Sequence, residues 1–81
     1  MAKYSDYIKI FTDAFLISES EATTLKYQGI EGWDSVGHMS LMAALEDIFE
    51  VELDIDDIIA FSSFEEGIKI LKKYDIDFSE S

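Results

Sequence analysis

The 81-residue chain contains no cysteine, no proline and no arginine. Without cysteine it forms neither a disulfide nor a thiolate metal site. A single histidine, His38, excludes a multi-histidine zinc site. The absence of proline leaves long stretches free to form helix, and the glycines fall only at positions 29, 32, 37 and 67. Base is scarce: six lysines face 18 acids, for a net charge of −12. Such a surface repels phosphate backbones and anionic lipid, so neither nucleic acid nor a membrane is an expected partner. It favours basic proteins instead. No apolar run approaches the roughly 18 residues that a membrane span needs. The opening Met-Ala-Lys-Tyr-Ser-Asp lacks the basic start and apolar centre of a secretory signal. The expected location is therefore the cytoplasm.

What the chain does have is apolar content, 48% of its residues, arranged with helical period. Tyr4, Tyr7, Ile8, Phe11, Ala14 and Phe15 recur in steps of three and four, which predicts a first helix over residues 3–16. Residues 17–34 read as a long loop, rich in Ser and Thr and broken by Gly29 and Gly32. Leu25, Tyr27, Ile30 and Trp33 are expected to pin that loop across the bundle. A second helix is predicted over residues 35–50, with Leu41, Leu45, Ile48 and Phe49 inward and His38 and Met42 at the edges of that stripe. Asp34 and Ser35 are both good N-caps for it.

Glu50-Val51-Glu52-Leu53 alternates like a short extended link. A short helix follows over 54–60, with Asp54 as cap and Ile55, Ile58, Ile59 and Phe61 facing inward. Ser62-x-x-Glu65 and Ser63-x-x-Glu66 both match a capping box ahead of a last helix at 63–74, with Phe64, Ile68 and Leu71 inward. Residues 75–81 read as a frayed tail. The expectation is one all-α domain over residues 1–81: a four-helix bundle of three main helices and one short one, with a long first loop.

The stretch most informative about function is Trp33-Asp34-Ser35-Val36, followed by Gly37-His38-Met39-Ser40-Leu41 and an acidic amphipathic helix. An Asp-Ser pair at a helix start, after a long loop, with Leu41 and Leu45 six and ten residues beyond the Ser, resembles the attachment motif of acyl and peptidyl carrier proteins. The likeness runs through Phe49, Leu53, the short acidic helix and Ser62-Ser63-Phe64. The resemblance implies an acyl-carrier-like bundle that is not an enzyme. It implies that Ser35 receives pantetheine 4'-phosphate from coenzyme A through a phosphopantetheinyl transferase. It further implies loading by a ligase or acyltransferase, delivery to downstream synthase enzymes of fatty-acid, polyketide or related biosynthesis, and a monomer. The sulfur that a cysteine-free chain lacks would arrive with the arm.

The same resemblance makes Asp34, Val36, Met39, Ala43, Glu46, Asp47 and Glu50 the contact residues for the modifying enzyme and partners. Val36, Met39 and Ala43 form a second stripe, offset from the inward leucines. Residues 46–57 hold seven acids and no base, a field of one sign that steers basic partners. The chain departs from the fatty-acid-synthesis pattern at Gly37 and Ser40, where that group usually has acids, and in having Val36 after the Ser and Trp33 before the Asp. These features look more like a stand-alone carrier of a specialised pathway.

Each residue also has a plainer reading. Ser35 can be a cap alone, Asp34 a dipole partner, Trp33 a loop anchor, and His38 a hydrogen-bonded packing residue in preference to a base or a proton-sensitive latch. The acid run fails as a calcium loop, because Ile59 stands at the sixth position from Asp54 where glycine is required. No metal site is expected. The rival functions are a peptidyl or aminoacyl carrier, including the D-alanyl type, and an unmodified acidic helical module that binds a basic partner.

Overall fold

The computed structural model describes residues 4–78. Among them the chain is all-helical: α1 Tyr4–Phe15, α2 Glu19–Ala22, α3 Ser35–Phe49, α4 Ile55–Ala60 and α5 Phe64–Lys72. The start of the first helix at residue 3 and the last three residues of the expected tail lie outside the described residues.

Aromatic side chains set the core. Tyr7 and Phe11, one turn apart on α1, pack against Phe64 of α5 with ring centroids 4.7 and 5.0 Å away, and Phe11 meets Trp33 at 5.6 Å. The Tyr7 hydroxyl donates a 2.7 Å hydrogen bond to the Phe64 carbonyl. That bond satisfies a buried phenol, and burial pushes its pKa far above the ordinary tyrosine range. Gly67 makes the packing possible: a Cβ there would lie 2.2 Å from both the Tyr7 oxygen and the Phe61 ring.

Several expectations are corrected. Residues 17–34 are not all loop, because α2 forms there. Ser18 and Glu21 close a reciprocal capping box, Glu21 N–H to Ser18 Oγ at 3.3 Å and Ser18 N–H to Glu21 Oε1 at 3.1 Å. The Ser18 N–H and then the Ser18 hydroxyl, both donating to the Glu21 carboxylate, hold it below the usual range. In the same segment Leu25 and Trp33 are buried and Ile30 half-buried, while Tyr27 stays exposed. The backbone ties the loop down, through Tyr27 N–H to the Ser62 carbonyl at 2.8 Å and Phe64 N–H to the Leu25 carbonyl at 2.9 Å.

On α1, Ile10 is buried and Ala14 exposed, so the inward face is rotated from the one expected. On α3, Met42 is fully buried and Ile48 is 53% exposed, because Leu41, Met42, Leu45 and Phe49 form the inward face while Ile48 lies at the open groove between α1 and α3. Glu50 ends α3 as a left-handed C-cap (φ 54°) and is not helical. Ser63, not Ser62, caps α5, accepting from Glu66 N–H at 2.9 Å. Helix α5 stops at Lys72, and Ile70 is buried where Ile68 is only half-buried.

Nor is the segment after α5 frayed throughout. Ile76 and Phe78 are buried, with Phe78 stacked 5.2 Å from Tyr7 and tilted against Phe49 at 5.7 Å. Their alternate spacing drives both side chains onto one face.

Helix α4 departs furthest from the expectation. Ile55 and Ile59 are 69% and 74% exposed, Ile58 is half-buried, and only Phe61 beyond the helix is buried. The one buried residue of α4 is Asp57. Its carboxylate accepts from Lys73 Nζ at 2.5 Å and from the Tyr74 hydroxyl. Tyr74 oxygen in turn accepts from Asp54 N–H at 3.0 Å. The Asp54 side chain makes no cap hydrogen bond; its backbone carbonyl receives Asp57 and Ile58 N–H instead. A polar clasp to the end of α5, with Ile58 the one half-buried apolar contact, holds this helix.

Candidate functional site

The site is built around the first turn of α3. Asp34, in extended conformation, caps the helix: its Oδ1 accepts from Gly37 N–H at 2.9 Å. That leaves Ser35 as the first helical residue, exposed, with no hydrogen bond to its hydroxyl among the described residues. Of the two cap candidates, only Asp34 does the capping. Gly37 is required here because a Cβ would sit 2.1 Å from the Gly32 carbonyl oxygen. A side chain of any size at this position has no room.

Beside Ser35 lies a groove of about 400 Å³ between α3 and α4, lined by Tyr27, His38, Met39, Ile55, Ile59 and Phe61, among others. His38 forms part of its floor. Its Nδ1 accepts from the indole N–H of Trp33 at 2.9 Å, so Nε2 carries the ring proton and donates to the Ile58 carbonyl at 2.7 Å. Sequence reasoning gave His38 a packing role but missed both partners. It also turned Ile55 and Ile59 inward, whereas they form the groove's outer wall. Their i, i+4 spacing was visible, but a six-residue helix has no second turn to show which face is covered.

The expected contact residues do not all behave alike. Val36, Met39 and Ala43 are exposed and share one face of α3, at 75% and 54% for the first two. Asp47 is exposed and continues that face by the same spacing, and Glu50, also exposed, stands just past the end of the helix. Glu46 is half-buried, and its Oε2 accepts from Leu53 N–H at 2.8 Å, so this acid fastens the link after α3. No lysine or arginine occurs from residue 35 to residue 60. That stretch of α3 and α4 therefore carries charge of one sign, and Lys73 pairs with the buried Asp57.

A second groove, of about 490 Å³, separates α1 from α3 on the far side of Ser40 and Ala44. No group of three or more His, Asp or Glu side chains among the described residues is placed to hold a metal ion. No described helix is long and apolar enough to cross a membrane. Comparison with known proteins leaves this geometry to speak for itself: no family model, no curated protein and no solved structure matches the chain.

Proposed function

We propose that the chain is an acyl carrier protein: a non-catalytic, carrier-type helical bundle that bears phosphopantetheine on Ser35 and presents acyl thioesters to partner enzymes. The observation that carries this reading is the division of labour at the start of α3. Asp34 takes the cap, and the Ser35 hydroxyl is left exposed and unengaged.

The residues present fit the arm. Attachment needs a hydroxyl that another enzyme can reach, and Ser35 offers one on the first turn of a 15-residue helix. In the transfer the Ser35 oxygen would bond to the pantetheine-bearing phosphorus of coenzyme A, the P–O bond of the pyrophosphate would break, the serine proton would pass to the transferase, and adenosine 3',5'-bisphosphate would leave. The positive end of the α3 dipole would favour the phosphodiester's negative charge, worth ~0.3–1 kcal/mol at an exposed site. When bound, the arm supplies the thiol that carries acyl groups as thioesters. The chain's own contributions are a stiff anchor, an apolar groove opening beside it, and an acidic surface. Val36 and Met39 give a docking enzyme apolar contact, while Asp47 and Glu50 draw a basic surface toward them.

Exposed Ile55 and Ile59 are equally compatible with a second reading, an unmodified module that binds an apolar, basic partner. Labelling separates the two. A fluorescent coenzyme A analogue and a broad-specificity phosphopantetheinyl transferase should label the wild type and leave Ser35→Ala dark. An unlabelled wild type, or an equally bright Ser35→Ala, contradicts the carrier reading.

A further inference from the structure

We propose that His38 is a proton-operated latch that joins the loop anchor Trp33 to α4 and sets the width of the groove beside Ser35. The inference stands on the groove itself and holds whether or not Ser35 carries an arm.

The donor sense of the two hydrogen bonds is fixed by chemistry. An indole nitrogen only donates, so His38 Nδ1 must be the bare, accepting nitrogen. A carbonyl only accepts, so His38 Nε2 must carry hydrogen. Only the neutral Nε2–H form satisfies both. A second proton has one place to go, Nδ1, and there it points at the Trp33 N–H. Two donors then face each other, and Trp33, fully buried, has no water to turn to. The ring must leave one partner or both.

Nothing around the ring offsets that conflict. The loop contributes Tyr27, edge-on at 5.4 Å, and Trp33, stacked at 6.1 Å. The α4 side contributes the Ile58 carbonyl and, just beyond, Phe61 at 6.3 Å. On α3 the carboxylate one turn earlier, Asp34, is committed to Gly37 N–H. The Asp57 carboxylate of α4 is committed to Lys73 and Tyr74. Neither of the ring's hydrogen bonds goes to a charged group.

The consequence falls on α4 because of how that helix is held. Its only buried residue is Asp57, clasped toward α5, while Ile55 and Ile59 face solvent. Among the described hydrogen bonds, the His38–Ile58 bond is its one tie across the groove. Few buried apolar contacts make a segment open at low cost. When His38 rotates away from the Trp33 N–H, the Ile58 carbonyl loses its donor and the groove widens.

Trp33 is the only tryptophan, so its indole N–H proton resonance and its emission read the latch directly. The wild-type protein is titrated from about pH 8 to about pH 5, where histidine changes charge, within the range of unchanged helical circular dichroism. Three signals are followed: the His38 ring proton, the Trp33 indole N–H, and the affinity of the neutral apolar dye N-phenyl-1-naphthylamine. The expected result is that the indole signal moves in step with the His38 titration and dye affinity changes about two- to tenfold over the same range, the worth of one hydrogen bond. His38→Asn keeps an acceptor near the Nδ1 position but has no proton to gain and does not reach Ile58. Its indole signal should stay constant, and its dye affinity should match the acid value at every pH. An indole signal that stays still while His38 titrates in the wild type overturns the latch. So does the same indole titration persisting in His38→Asn.

Discussion

The Asp34 carboxylate accepts from the backbone N–H of Gly37, three residues on, and so relieves Ser35 of any part in starting the helix. The two neighbours should therefore separate cleanly in stability measurements. Asp34→Ala removes a helix cap and should cost ~0.5–2 kcal/mol in urea unfolding. Asp34→Asn, which can still accept, should cost less. Ser35→Ala should fall within about 0.5 kcal/mol of wild type, as exposed surface changes do. A large loss at Ser35 would mean that its hydroxyl is structural.

Gly37 and Gly67 carry opposite expectations from helix propensity and from packing. Propensity alone favours alanine in a helix by up to ~1 kcal/mol. The added Cβ, however, would stand 2.1 Å from the Gly32 carbonyl at position 37, and 2.2 Å from the Tyr7 oxygen at position 67. At position 37 the clash is with backbone, and at position 67 with the side chains of the fully buried Tyr7 and Phe61, so packing decides the sign. Gly37→Ala and Gly67→Ala should each lower stability, by ~1–3 kcal/mol, seen as a reduced Tm. A rise in Tm at either position would show that the close approach is absent in solution.

How much of this was readable beforehand differs by element. The helical periods of α1, α3 and α5 were strong, since each runs two turns or more and places Tyr7, Leu41 and Phe64 inward. The start of α3 was readable as well, although sequence alone did not choose between Asp34 and Ser35 as cap. Helix α2 carried its own signal, Ser18-x-x-Glu21, hidden by the lack of an apolar period over four residues. Ile76 and Phe78 lie in a segment that reads as a frayed tail, yet two alternate apolar side chains are enough to dock it. Asp57 had no local signal at all. Its partners Lys73 and Tyr74 lie 16 and 17 residues away, and only the fold brings them together. For the same reason, one turn of isoleucines on α4 could not say which side met solvent.

The Asp57 clasp should make α4 sensitive to acid. Hydrogen bonds from Lys73 and then Tyr74 hold the Asp57 carboxyl below the ordinary carboxylate range. Its stabilisation is therefore complete above the unfolded-state value, ~3.9 for aspartate, and is lost as pH falls through the lower folded value. Asp57→Asn should be less stable than wild type at neutral pH, and the gap should narrow in acid below that value. Paired urea melts at both pH values remove the effect of the other acids. A gap that is constant with pH would mean that the charge on Asp57 contributes nothing.

Electrostatic steering is best probed at Asp47, not at Glu46. Glu46 holds Leu53 N–H, so Glu46→Lys should loosen the link to α4 as well as change charge. Asp47 is exposed, and Asp47→Lys should leave the melt within about 0.5 kcal/mol of wild type. With the phosphopantetheinyl transferase as docking partner, Asp47→Lys should slow association, and added salt should shrink the difference between the two proteins. Equal rates at low salt would remove Asp47 from the docking surface.

The central claim is that the unengaged hydroxyl at the head of α3 is an attachment point. Intact mass spectrometry after treatment with coenzyme A and a phosphopantetheinyl transferase tests it most directly, with fragmentation to place the modification. The account predicts a gain of one phosphopantetheine group on Ser35 and no gain in folded Ser35→Ala. No gain in the wild type, or a gain located at another residue, would contradict it.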